Sequence, residues 1–170
     1  MIKIIDNFFD EEDHSKVMDY IKTKIHFTPR YFDDEKPKTK ENFYGQRFIL
    51  EEDETLLNTF IKQSEKKFKI KIKKIYSDCG IDLRNLDHFK PHIDSDHAVI
   101  NILIMLEGPI GVTTGTVFYT EEELDIHVGF RPNRAILFPS DKVHSPHKCE
   151  LKNIRRYTAT LFVKDYSDVS

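Results

Sequence analysis

The chain has 170 residues, 39% of them hydrophobic and 32% charged, which suits one soluble domain with a real core. A net charge of −3 gives no general attraction to nucleic acid or anionic membrane. No apolar stretch reaches the length of a membrane span, the longest, Ala98 to Leu106, being interrupted by Asn101; the opening Met1-Ile2-Lys3-Ile4-Ile5-Asp6 does not read as a signal peptide.

In chain order, residues 2–9 are predicted to form a short strand ending in Asn7-Phe8-Phe9. Asp10 to Lys22 reads as a helix with Asp10 as N-cap, Asp13 three residues on, and an apolar stripe of Val17, Tyr20 and Ile21. Residues 26–50 are irregular and rich in aromatics, punctuated by Pro29 and Pro37 and split by a polar run from Asp33 to Glu41. Phe27–Phe48 is either a surface loop over a satellite core or a mobile flap at a site, since long loops in compact domains are often functional. Asp53 to Phe68 reads as a second helix, with Leu56, Leu57, Phe60, Ile61, Ser64 and Phe68 at helical spacing. Lys69 to Tyr76 fits helix or strand. Its lysines, with Lys66 and Lys67, are expected on a half-solvated element, a phosphate-binding stripe being the alternative.

After Gly80 the pattern is strand-rich. Strands are predicted over 81–86, 90–94, 98–106, 115–119, 124–128, 134–138, 142–148 and 155–164. Gly108-Pro109, Gly111, Gly115, Gly129, Pro132-Asn133 and Pro139-Ser140 supply the turns. Several short antiparallel strands without intervening helices imply a closed or doubled sheet. Of the two cysteines, Cys79 and Cys149, neither has zinc-type spacing, and both fit packing roles in a reducing, cytoplasmic setting.

The candidate chemistry lies in this half. His92-Ile93-Asp94 is followed 50 residues later by His144, and Arg156 lies 12 residues beyond. A His-x-Asp triplet alone means little. On a strand, however, His92 and Asp94 point to one face, and two histidines with one carboxylate can hold a divalent iron while leaving its other face open. His97 and His147 are rival ligands, as Asp96 is for Asp94; His147 is three residues from His144 and faces differently on a strand. If Arg156 points inward, so do Thr158, Thr160 and Phe162, while Arg155, Tyr157, Ala159, Leu161 and Val163 point outward. Asn101, Leu103 and Met105 share a face. The amide of Asn101, the only polar side chain in its run, serves either a structural hydrogen bond or a contact with co-substrate or metal-bound water.

Phe89-Lys90-Pro91-His92-Ile93-Asp94, Gly115-Thr116-Val117-Phe118-Tyr119, Arg134-Ala135-Ile136-Leu137-Phe138-Pro139-Ser140 leading to His144, and Arg156-Tyr157-Thr158-Ala159-Thr160-Leu161-Phe162 together resemble the 2-oxoglutarate/Fe(II)-dependent oxygenase superfamily, in particular its prolyl-hydroxylase-like branch. The resemblance covers residues 80–164 and is weaker before them, where Ile4-Ile5-Asp6-Asn7-Phe8-Phe9 resembles only the usual opening strand. It implies a mainly β fold with N-terminal helices (α+β): a single domain, 1–170, with helical support over 1–79 and a double-stranded β-helix (jelly-roll) core over 80–164. It implies Fe(II), 2-oxoglutarate and O2, with ascorbate as an optional reductant, and an oxidative decarboxylation coupled to hydroxylation of a C–H bond. By motif, His92, Asp94 and His144 are the metal ligands and Arg156 binds the distal carboxylate of 2-oxoglutarate with Thr158 beside it. Asn101 and Met105 are further candidates on the co-substrate side, Met105 standing where prolyl hydroxylases often carry tyrosine. Halogenases of the superfamily replace the carboxylate ligand with a small residue, so Asp94 implies hydroxylation. The expected partner is a peptide or small-molecule substrate. A nucleic-acid demethylase of the same superfamily and a cupin-like non-redox metal protein are the alternatives; the net acidity weighs against the first, and Arg156 has no role in the second.

Overall fold

A computed structural model describes residues 1–31, 43–84, 90–94, 97–121, 123–147 and 155–169. The elements are β1 (Lys3–Ile5), α1 (Glu11–Lys24), β2 (Thr28–Tyr31), β3 (Phe43–Ile49), α2 (Glu54–Phe68), β4 (Ile70–Ile75), β5 (Gly80–Arg84), β6 (Ile100–Glu107), β7 (Gly111–Thr120), β8 (Glu123–Phe130), β9 (Arg134–Pro139), β10 (His144–Pro146) and β11 (Arg156–Asp168). The chain is thus mainly β, with two helices and antiparallel pairing throughout the described ladders. The larger sheet runs β1-β9-β6-β11-β5-β3-β2, with β4 joined to the far end of β11; the smaller runs β10-β7-β8.

Both helices begin where a side chain satisfies an orphan amide. Asp10 accepts from the Asp13 amide and Asp53 from the Leu56 amide, each at 2.9 Å, a cap worth about 1 kcal/mol. The helix α2 ends at Lys69 in the left-handed conformation, and the following Ile-Lys-Ile-Lys alternation becomes β4, with Ile70 and Ile72 buried, Ile75 half-buried and the lysines exposed. The half-solvated reading of this lysine run therefore holds: Lys71 pairs with Glu65 and Lys73 with Asp165. On α1 the buried set is Val17, Met18 and Ile21. Tyr20 is not part of the buried stripe; it is 41% exposed and its hydroxyl donates to Asp53 at 2.6 Å, tying the two helices.

The central strands β6, β9 and β11 are covered on both faces. Ile100, Ile102, Ile104 and Leu106 of β6, Ala135 and Leu137 of β9, and Ala159, Leu161 and Val163 of β11 pack with Phe8, Phe9, Ile21, Phe60 and Phe68 into the helix-covered core. The opposite face supplies Met105, Ile136 and Phe138, which meet Phe118, Val128 and Phe130 of the small sheet in a second cluster. This two-sided burial is why these strands read as nearly continuous apolar runs.

Two further expectations are corrected. Residues 28–31 and 43–49 are not loop but paired strands at the edge of the large sheet; Pro29 is tolerated because β2 is an edge strand. The remainder of that segment, 32–42, lies outside the described residues, as do Asp96 and Cys149. Residues 90–94 do not form a strand and are held by one isolated bridge between His92 and His144. Phe162 keeps the inward parity expected of it, as the cross-strand partner of Asn101, which is itself opposite Phe138, and its ring joins the larger core cluster.

Candidate metal and co-substrate site

The site forms where the segment 90–94 meets β10. His92 and His144 are joined by a reciprocal pair of backbone hydrogen bonds, His92 amide to His144 carbonyl and the reverse, each at 2.9 Å. Such a hydrogen-bonded antiparallel pair fixes two residues side by side, so the two imidazoles are set by main chain before any ligand arrives. Each ring is then oriented by its own Nδ1, which lies 2.8 Å from the Lys90 carbonyl for His92 and 3.0 Å from the Lys142 carbonyl for His144. A carbonyl only accepts, so each Nδ1 carries its proton and each Nε2 is turned inward. The fully buried Phe118 and Phe138 pack against the His144 ring at centroid distances of 6.0 and 4.9 Å.

Asp94 completes the set. His92 Nε2 is 3.3 Å from Asp94 Oδ1 and His144 Nε2 is 3.2 Å from Oδ2. The ligating atoms of all three residues lie within 4.8 Å of one another. Burial raises the Asp94 pKa, but hydrogen bonding to His144 and His92 when their Nε2 atoms are protonated too, reinforced by the charge they then carry, outweighs it and holds the carboxyl well below the usual range. Two imidazole nitrogens and a carboxylate turned on one point form a donor set suited to a divalent transition ion. The rival histidines sit elsewhere: His97 packs against Tyr76 and His147 against His127, with centroids 5.8 and 4.6 Å apart.

Asn101 stands one hydrogen bond behind these residues. It is fully buried on β6, and its Nδ2 donates to Asp94 Oδ2 at 3.1 Å. Of the two roles its sequence context allows, the described contact is the structural one.

A cavity opens beside the triad, with Leu103, Thr116 and Phe138 on its walls and Arg156, Thr158 and Thr160 contributed by β11. The alternation expected for β11 therefore brings these three polar residues to the cavity. Arg155 is exposed. Arg156 is 5% exposed; its Nη1 donates to the Gly115 carbonyl at 3.2 Å and its guanidinium carbon is 5.7 Å from the Phe130 ring centroid. Gly115 takes φ +126°, and a Cβ there would lie 2.1 Å from the Val128 carbonyl oxygen, so only glycine lets β7 approach closely enough to present that carbonyl. Met105 faces the same side of β6 as Leu103 but packs among Phe118, Phe130 and Ile136; Leu103 is the β6 side chain at the cavity wall.

Sequence reasoning missed Arg84, which also lines the cavity. Its Nη2 bonds Asp82 Oδ2 at 3.1 Å, and Asp82, 1% exposed, also accepts from Arg47 Nη1 at 3.0 and 3.1 Å. The available signal was the strand Ile81-Asp82-Leu83-Arg84, whose alternate positions are charged within an otherwise apolar element.

No protein-family model and no curated protein matches the chain in sequence. Solved structures do match in fold. The epimerase SnoN of nogalamycin biosynthesis, solved with Fe3+, alpha ketoglutarate and nogalamycin RO, superposes with a TM-score of 0.63 at 9% identity, covering 98% of this chain and 78% of SnoN. A Pseudomonas putida prolyl-4-hydroxylase gives 0.62 at 11% identity, over 96% of this chain and 92% of its own. A Trichoplax adhaerens prolyl hydroxylase, solved with a hypoxia-inducible-factor peptide fragment, gives 0.56 at 16% identity, over 98% and 83%. The chain has the fold of the 2-oxoglutarate/Fe(II) oxygenases, prolyl hydroxylases among them.

Proposed function

We propose that the protein is a 2-oxoglutarate- and Fe(II)-dependent oxygenase that hydroxylates a C–H bond in a protein side chain, an amino acid or another small metabolite. In this reading residues 1–170 are one cytoplasmic oxygenase domain whose two sheets make up a double-stranded β-helix core. The observation that carries it is the inward-facing set of His92, Asp94 and His144, with both Nδ1 atoms engaged by backbone carbonyls and Arg156 on the same cavity. The match to neighbours solved with iron and alpha ketoglutarate, or with a peptide substrate, supports the choice of cofactors and substrate class.

His92, Asp94 and His144 would hold the iron, which with 2-oxoglutarate supplies the oxidising power for inserting one atom of O2 into a C–H bond. Arg156 would grip the distal carboxylate through its guanidinium fork, with Thr158 offering a hydroxyl beside it. Asn101 keeps Asp94 oriented. Leu103 and Phe138 limit water at the cavity wall, which strengthens every charge contact made there. Asp94 leaves no vacant ligand position of the kind halide transfer needs, which favours hydroxylation. Nucleic acid is disfavoured by the net charge of −3 and by the carboxylate partners of Lys71 and Lys73. Among the described residues, no helix is long and apolar enough to cross a membrane.

Succinate release from 2-oxoglutarate, measured with Fe(II) and O2 against a panel of peptides, amino acids and oligonucleotides, tests the reading. Release should be stimulated by a peptide or small metabolite. Stimulation by oligonucleotides alone would reassign the substrate. No release from a folded, metal-loaded protein would reject oxygenase activity.

A further inference from the structure

The cavity wall contains a second arginine, Arg84, that the reading above does not use. In the β5–β11 ladder, Arg84 is the direct cross-strand partner of Arg156, and Asp82 that of Thr158. Directly opposed residues share a face, with Cβ atoms about 5 Å apart. Both arginines accordingly line the same cavity. Two arginines on one cavity wall, one of them also bonded to Asp82, can both attract an anion placed between them.

Arg84 is also pre-positioned. Its guanidinium is held at 3.1 Å by Asp82, which is 1% exposed and is itself gripped by two contacts from Arg47 on β3. Arg47 is 6% exposed and lies across from Asp82 in the β3–β5 register. The layer Arg47–Asp82–Arg84 therefore orders a long side chain before the ligand binds. This lowers the entropy cost of recognising an anion.

We propose that Arg84 is a second anchor for the distal carboxylate of the bound 2-oxo acid, so that this carboxylate is held from both sides by Arg84 and Arg156. The inference rests on the oxygenase reading of the cavity and extends it. Arg84 makes the site selective for a 2-oxo acid bearing a second carboxylate over one that lacks it.

The test uses binding, not turnover. The full-length protein is loaded with Mn(II), and the dissociation constants of 2-oxoglutarate and of pyruvate, which has no distal carboxylate, are measured for wild type, Arg84→Gln and Arg84→Lys. The expected result is a loss of about 10- to 100-fold in 2-oxoglutarate affinity for Arg84→Gln, as for one charged hydrogen bond. Pyruvate and Mn(II) affinities should be unchanged, with partial recovery in Arg84→Lys. Equal losses for both acids would mean that Arg84 supports the cavity generally, and would overturn the proposal. So would unchanged 2-oxoglutarate affinity; if substrate-stimulated succinate release then fell selectively, the arginine would belong to the substrate. A wild-type protein that binds Mn(II) but neither acid would overturn the oxygenase reading itself, and this inference with it.

Discussion

Replacing Asn101 with leucine isolates the contribution of the amide that stands behind Asp94. Leucine keeps the branched shape of a side chain that is 0% exposed, at the cost of somewhat greater bulk, and removes the amide that donates to Asp94 Oδ2 at 3.1 Å. A hydrogen bond to a charged acceptor is worth about 1.5–3 kcal/mol, and loss of a partner behind a metal ligand typically costs about 10- to 100-fold in metal affinity. The cost to the metal-free fold should be smaller. Among the described residues Asn101 Oδ1 accepts no hydrogen bond, so the substitution also removes a poorly satisfied buried acceptor. Titration of the chelator-stripped protein with Mn(II) in competition with a chelating dye gives the affinity, and thermal melts with and without metal give the linked stabilisation. The variant should bind metal at least ten times more weakly (about 1.4 kcal/mol) and show a smaller metal-induced rise in Tm. Wild-type metal affinity in a folded Asn101→Leu protein would refute the reasoning and return Asn101 to a purely architectural role.

Arg156→Ala should raise the dissociation constant for 2-oxoglutarate by about 30- to 1,000-fold, the cost of a bidentate charged contact, while Arg155→Ala changes it little; a larger defect in the Arg155 variant would contradict the observed strand register. Desolvation pushes the Cys79 thiol up to about 12 from an ordinary 9.0, with the Phe162 amide only partly opposing it. In a Cys149→Ser background, thiol titration at pH 8 should therefore find no reactive group until denaturant is added. Because the folded pKa is raised, Cys79 leaves stability intact below pH 9.0 and lowers it progressively between 9.0 and about 12, which urea melts across that range will register; a pH-independent midpoint would count against the burial. Gly115→Ala places a methyl group 2.1 Å from a backbone oxygen at φ +126°, and should cost upwards of about 1–3 kcal/mol in urea denaturation, whereas wild-type stability would show that β7 relaxes freely.

The convergence of the candidate metal ligands was legible in the sequence because ligand chemistry restricts residue type. His92, Asp94 and His144 stand out even though the strand assumed for 90–94 is only a single bridge. The triplet converges through the paired backbones of His92 and His144, not through strand pleating. Parity placed Arg156, Thr158 and Thr160 on the cavity correctly, since β11 is a long continuous strand. Phe162 continues the same parity opposite Asn101, although its ring joins the larger core cluster. The edge strand β2 and its inner neighbour β3 were hidden by Pro29 and the adjoining polar run, since proline is tolerated on an edge strand but reads locally as a strand breaker. Arg84 was missed because the positions flanking it read as an ordinary half-buried strand. Only the pairing of β5 with β11 reveals that it faces Arg156, and cross-strand pairing is a long-range property that local periodicity does not carry.

The most direct test of the account is a binding stoichiometry. Chelator-stripped wild-type protein and Asp94→Ala are titrated with Mn(II) and then with 2-oxoglutarate, each step followed by calorimetry. Wild type should take up one Mn(II) per chain and then one 2-oxoglutarate, with no measurable 2-oxoglutarate binding before the metal is added. Asp94→Ala should stay folded and lose both steps at the same concentrations. Tight 2-oxoglutarate binding without metal, or undiminished Mn(II) binding by Asp94→Ala, would contradict the assignment of His92, Asp94 and His144 as the metal centre.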